Sequence, residues 1–324
     1  MIRTAAGARI RRRWFLQSAA AIAAGGGLSS PVLGQLCPVK EGTVRDRLWV
    51  FCNPVNADYD VVRRRTVMSP FESAVYMGVP NIIMVNSYPP RQDGAALQPD
   101  DEGFFRAWVP PFELYAYPLK LLKRVTWSIV DDSGVTLDWE REQVLAMARK
   151  TPNFVGLFMD DFFRFPKKPE PNPKLASLTV DELRAVQQDL KRPGKKLDLY
   201  VTLYNEGLDH PIGEYLELID VITFWNHGTA ALANLDQNLT RLAKLAPKSR
   251  IMLGCYTAEA DDHRTPRWLP MPVETMKYQC ELGLKFLHEG RIEGIIIYGN
   301  FLDFRWESHE WARQWIQKVG DTKL

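Results

Sequence analysis

The sequence predicts a single (β/α)8 (TIM-type) barrel, and three observations carry that reading. From residue 46 onward eight short, β-rich apolar runs recur, each followed by a helical pattern. Such alternation marks parallel βα units rather than a sandwich. Eight units spread over about 270 residues suit a closed barrel. No G-x-G-x-x-G follows the first run, although an open dinucleotide-binding sheet would carry one there.

Taken in order, strands are expected at 48–53 (LWVFCN), 81–87 (NIIMVNS), 124–130 (RVTWSIV) and 154–160 (FVGLFMD), then at 197–205 (LDLYVTLYN), 221–226 (VITFWN), 250–256 (RIMLGCY) and 294–300 (GIIIYGN). Each is rich in Val, Ile, Leu and aromatic residues, as strands buried beneath helices should be. The intervening helices are expected at 70–77, 112–122, 139–149, 180–191, 212–218, 230–245, 273–289 and 307–318. The fourth has local punctuation: Thr179-x-x-Glu182 forms a capping box at its start, and Pro193-Gly194 stops it. In the fifth strand Asp198, Tyr200, Thr202, Tyr204 and Glu206 share one parity and Leu197, Leu199, Val201 and Leu203 the other, so the polar set should face the barrel axis. Long loops at 91–111 and 165–173 follow strands two and four, on the face that builds active sites. There is no internal sequence repeat beyond the βα alternation and no Gly/Ser-rich linker, so residues 35–324 read as one domain.

The chain has 324 residues, 46% hydrophobic and 25% charged, which is a globular composition. Its formal charge of +2 is misleading, because residues 1–34 contain five arginines and no acid. The remainder has 36 basic against 39 acidic residues, which offers no electrostatic reason to favour nucleic acid or an anionic membrane. Residues 9–34 run from a basic block through an apolar Ala/Ile/Leu stretch to a small-residue region, the pattern of an export leader. Arg12-Arg13-Trp14-Phe15-Leu16-Gln17 resembles the twin-arginine consensus, which implies passage through the Tat translocase, cleavage after Gly34 and a periplasmic or secreted product. No other run reaches the ~20 apolar residues of a membrane span. Cys37, Cys52, Cys255 and Cys280 are widely spaced and lack a zinc pattern. Cys52 and Cys255 read as buried free thiols, while an oxidising compartment would permit one disulfide.

The residues ending the strands are polar and aromatic. Asn53, Asn86, Asp131, Tyr204, Trp225, Asn226, Tyr256, Tyr298 and Asn300 are the candidate substrate-binding groups. Asp160, Asp161 and Glu206 are the candidate catalytic carboxylates. Gly156-Leu157-Phe158-Met159-Asp160-Asp161-Phe162-Phe163 is the sharpest signal, an apolar strand ending in two acids followed by two rings. Strand alternation sends one aspartate to the mouth and the other to the flanking loop without saying which. The competing structural reading has one aspartate capping the next segment and the other pairing with Arg164, Lys167 or Lys168. Glu206 competes with the role of an unpartnered loop residue, and any single ring among the four competes with simple core packing. Glycoside hydrolysis requires two carboxyl groups: one protonates the leaving oxygen, and the other attacks or activates water. The five histidines include no H-x-H on the first strand, and no Walker loop or G-x-S-x-G occurs. Asp261-Asp262-His263 reads as a solvated loop, so neither metal nor cofactor is expected.

With leader, barrel and Asp-Asp strand together, the chain resembles exported bacterial proteins of the (β/α)8 glycoside-hydrolase type, over nearly the whole mature length. The resemblance implies a carbohydrate substrate without assigning a family. Against the D-x-D-x-E series of family 18 chitinases, Asp160 matches the middle acid, while Phe158 and Phe162 stand where the outer Asp and the catalytic Glu would be. The retaining clan with glutamates after strands four and seven fits no better, since strand four offers Asp and Glu259 lies three residues beyond Tyr256. The expected function is hydrolysis of an oligo- or polysaccharide. Two alternatives stand beside it: a non-catalytic carbohydrate-binding barrel, and a carboxylate-dependent lyase or epimerase acting on a small metabolite.

Overall fold

A computed structural model describes residues 42–53, 55, 58–59, 64–65, 67–85, 112–130, 134, 138–166, 173–192, 194–226, 228–260 and 268–324. The leader, Cys37, Asn86, Asp131, Asp261-Asp262-His263 and the loop 91–111 lie outside the described residues.

Eight strands form a closed barrel: β1 (Leu48–Cys52), β2 (Asn81–Met84), β3 (Arg124–Ser128), β4 (Phe154–Met159), β5 (Asp198–Tyr204), β6 (Val221–Trp225), β7 (Arg250–Cys255) and β8 (Gly294–Tyr298). Every neighbouring pair is parallel, and β1 closes the ring by pairing with both β8 (Leu48 opposite Ile295) and β2 (Trp49 opposite Asn81). This is the (β/α)8 architecture that the alternation of runs predicts.

The helices around it are α1 (Pro70–Met77), α2 (Glu113–Leu119), α3 (Asp138–Lys150), α4 (Val180–Leu190), α5 (Gly213–Leu216), α6 (Thr229–Leu232), α7 (Leu235–Leu245), α8 (Val273–His288) and α9 (Glu307–Val319). Their local signals operate as chemistry dictates. Thr179 and Glu182 cap the start of α4 reciprocally, and Ser69 and Glu72 do the same for α1, which has Pro70 in its first turn. The expected sixth helix is two, interrupted at Ala233-Asn234. The second ends at Leu119 rather than residue 122, because Pro118 withholds a backbone donor from its last turn. Most strands stop one to three residues before the expected end, so Asn53, Asn226, Tyr256 and Asn300 stand just past the ladder, at the carboxyl rim. A short ribbon pairs Ala258–Ala260 with Trp268–Pro270 in the loop after β7, which the hydrophobic pattern does not reveal.

The barrel interior is filled with rings. Trp49 meets Tyr200 at 6.1 Å between centroids, and Phe51 contacts Phe158, Trp225 and Tyr298 at 5.4–6.0 Å. Room for them comes from small residues on adjacent strands: a Cβ on Gly156 would lie 2.5 Å from the Tyr200 ring, and one on Gly254 2.1 Å from the Trp225 ring. Interleaving large and small inward residues fills a small barrel without voids.

Candidate active site

The contacts of β4 fix which residues face inward. Gly156 meets the Tyr200 ring and Phe158 meets Phe51, so alternation carries Asp160 to the same side, at the barrel mouth. Asp160 is buried, and its Oδ1 accepts a 2.8 Å hydrogen bond from the Thr202 hydroxyl of β5. Thr202 in turn lies 3.2 Å from the Thr223 hydroxyl of β6.

Alternation alone would send Asp161 to the opposite side. The backbone breaks it: Asp161 has φ +42°, the left-handed region, which is uncommon outside glycine although aspartate tolerates it better than most residues. Before the turn, Ile129 N–H is bonded to the Phe158 carbonyl; after it, Ser177 N–H binds the Phe162 carbonyl and Arg164 N–H the Leu175 carbonyl. Gly134, from the loop after β3, sits so close that a Cβ there would be 2.3 Å from the Asp161 carbonyl oxygen. The reversal brings the Asp161 Oδ1 within 2.5 Å of the Tyr204 hydroxyl, which donates to it. Tyr204 lies two residues beyond Thr202 on the inward side of β5, so adjacent inward side chains of one strand bind both aspartates.

The tyrosines register the charge of both carboxyls. Burial holds the Tyr204 phenol well above the usual tyrosine range, with Tyr256, Asp161 and Asp160 adding to it. Burial does the same for Tyr256, followed by Tyr298, Asp161 and Asp160, and its hydroxyl is hydrogen-bonded to that of Tyr204. Both phenols therefore remain protonated donors at neutral pH.

Around this pair, Phe162 and Phe163 pack on each other at 5.1 Å and against Tyr215. Arg164 directs its Nε to the Ser177 hydroxyl at 3.3 Å. Trp225, Tyr256 and Tyr298 pack edge to face or tilted at 4.9–6.1 Å and are only 2–8% exposed, so most of each ring is core. Trp268, from the ribbon after β7, extends the cluster by stacking on Tyr298 at 5.9 Å. Asn300 is buried and donates to the Tyr298 hydroxyl at 3.0 Å. Asn226 follows Trp225 with opposite parity and accepts from Asn238 of α7, on the helix side. Asn53 is buried just past β1.

Glu206 is placed differently. The β5 ladder ends at Tyr204, and residues 205–209 wind into a 3-10 turn, so the strand parity does not extend to Glu206, which is exposed. Glu259 accepts from the Thr229 hydroxyl at 2.8 Å and ties the β7 loop to the start of α6. Of the residues read from the sequence, the structure thus joins Asp160, Asp161, Tyr204 and Tyr256 in one network. Thr202 is the addition; its inward parity was the available signal. Among the described residues no group of three or more His, Cys, Asp or Glu side chains could hold a metal ion, and no helix is long and apolar enough to cross a membrane.

No family profile matches the chain, and no curated protein matches it. Solved structures do. A candidate alpha-L-fucosidase from Bacteroides thetaiotaomicron VPI-5482 is similar at TM-score 0.50 and 15% identity, over 91% of this chain and 97% of its own. A GH128 endo-beta-1,3-glucanase from Amycolatopsis mediterranei is similar at 0.42 and 14%, over 79% and 89%. The tryptophan synthase alpha-subunit of Pyrococcus furiosus is similar at 0.42 and 11%, over 85% and 96%. At such identities the likeness is one of fold, and the chemistry has to be argued from side chains.

Proposed function

We propose that the protein is an exported glycoside hydrolase that cleaves an oligo- or polysaccharide at the carboxyl end of its barrel. One observation carries the reading: the left-handed turn at Asp161 sets two aspartates against adjacent inward residues of β5, Thr202 and Tyr204. Hydrolysis needs one carboxyl group to protonate the leaving glycosidic oxygen as the C–O bond breaks. A second, ionised, assists addition of water oxygen to the anomeric carbon or first attacks that carbon itself. Asp160 and Asp161 supply the pair at the end of β4, with Glu206, exposed on the turn after β5, as the third candidate carboxylate. The half-buried ring of Trp268 and the hydroxyls of Tyr256 and Tyr298 suit sugar contacts at the rim. The resemblance of Arg12-Arg13-Trp14-Phe15-Leu16-Gln17 to a twin-arginine leader supports the Tat route and a periplasmic or exterior site, where polysaccharide is met.

The test is reducing-end release from a panel of polysaccharides by the full mature chain and by Asp160→Asn, Asp161→Asn and Glu206→Gln. The reading expects at least a hundredfold loss in one aspartate variant that still binds oligosaccharide. Oligosaccharide binding by the wild type without turnover of any panel member would replace the hydrolase with a carbohydrate-binding barrel. Undiminished hydrolysis in both aspartate variants would overturn the assignment of the pair.

A further inference from the structure

We infer that Asp161 is the carboxylate that works in its ionised form, and that Tyr204 is the positioning residue that holds it so; this rests on the hydrolase reading above. The two aspartates receive different donors. Tyr204 has a single hydroxyl proton, and it points at Asp161 Oδ1 over 2.5 Å, the length of a charge-assisted bond between hydroxyl and carboxylate. The Tyr204 proton thus ends on an acceptor, Asp161. A hydrogen bond donated to a carboxylate favours its ionised form.

Asp160 has a more permissive partner. The Thr202 hydroxyl touches Asp160 Oδ1 and the Thr223 hydroxyl together, and threonine exchanges donor and acceptor roles by rotating its proton. Asp160 therefore retains a hydrogen bond whether it carries a proton or not. The groups facing Asp161 include Asp160 beside it on its own segment, Tyr204 from β5 and Tyr256 just past β7, with Tyr298 of β8 behind Tyr256. Arg164, three residues on, is turned to Ser177. The Tyr204 hydroxyl thus distinguishes the two neighbouring carboxyls. The strained Asp161 backbone is what delivers the carboxylate to it.

The experiment is Tyr204→Phe in the full mature chain, read in two ways. The first is a carboxyl-carbon NMR titration with labelled aspartate, in which Asp161→Asn assigns the signal. The second is the pH profile of hydrolysis on the substrate found for the wild type. Losing one hydrogen bond to a charged group should raise the Asp161 midpoint by about 1–2 pH units. It should also move the acidic limb of kcat upward and lower kcat about 10- to 100-fold, with KM changed less than about threefold. If Tyr204→Phe does not fold, the wild-type titration serves as the test, and an Asp161 midpoint above that of Asp160 overturns the inference. An unchanged Asp161 midpoint in a folded variant overturns the inference without reference to activity. An inactive Asp161→Asn with an unshifted limb in Tyr204→Phe overturns it while the hydrolase reading stands. Full activity in both Asp160→Asn and Asp161→Asn overturns the assignment of the pair, and absence of turnover by the wild type overturns the hydrolase reading itself.

Discussion

Gly254 of β7 faces the indole of Trp225 on β6 so closely that a Cβ on the glycine would lie 2.1 Å from two ring carbons. Trp225 in turn touches Phe51, Tyr256 and Tyr298. The missing side chain thus allows the ring cluster to fill the barrel just beneath the candidate site. Gly254→Ala should cost about 2–3 kcal/mol through overpacking, and more if the ring cannot shift. A urea unfolding curve followed by tryptophan fluorescence checks this. A midpoint within error of wild type would mean the cluster is loose.

Thr202 binds the buried carboxylate of Asp160. Thr202→Val keeps the shape and removes the donor, so a buried acceptor loses one hydrogen bond. The expected loss is about 1–3 kcal/mol at pH 7, and it should shrink when Asp160→Asn is already present. A double-mutant cycle by chemical denaturation gives the coupling directly.

His309 is buried, and its Nε2 lies 3.1 Å from the Thr257 hydroxyl, which itself donates to the Tyr298 carbonyl at 2.7 Å. Thr257 has spent its proton, so His309 carries hydrogen on Nε2. Burial pushes the imidazole down from 6.5 to about 4, partly opposed by Glu310. The unfolded chain therefore takes up this proton first as pH falls. Stability from this group is full above about pH 6.5, declines between 6.5 and 4, and is lost below, a total of about 3 kcal/mol by linkage. In His309→Gln that portion of the pH dependence should vanish. Parallel urea midpoints for the two proteins between pH 4 and 7 would refute the assignment.

Cys52, Cys255 and Cys280 are free and buried. Burial pushes the Cys52 thiol up to about 12, against the lowering contact from Ser73, and holds Cys280 well above its usual range, reinforced by Cys255. Thiols that do not ionise do not react. In a Cys37→Ser chain, no thiol should be modified by a disulfide reagent within the time that three are modified in guanidinium chloride. Rapid labelling of the folded protein would show that the barrel wall opens.

Much of the fold was legible because βα units announce themselves locally. Apolar runs alternate with amphipathic ones, the capping box at Thr179–Glu182 forms as written, and the inward parity of Tyr200, Thr202 and Tyr204 on β5 follows from a period of two. Strand ends were less legible, since a ladder stops where its neighbours stop. A residue such as Asn226 can belong to an apolar run and still turn to Asn238 beyond the last pair.

The sequence by itself determined the closed parallel barrel and nominated the aspartate pair on its carboxyl rim, because hydrophobic periodicity and an abrupt change from apolar to acidic are local properties. Only the tertiary structure decided where those carboxylates point. Three segments from different parts of the chain, around Gly134, Ser177 and Tyr204, force Asp161 into a left-handed turn that local preference opposes. The same holds for Glu206, which a strand pattern assigns inward and a 3-10 turn carries away. Alternation is a rule of extended backbone, and both residues sit where the backbone ceases to be extended.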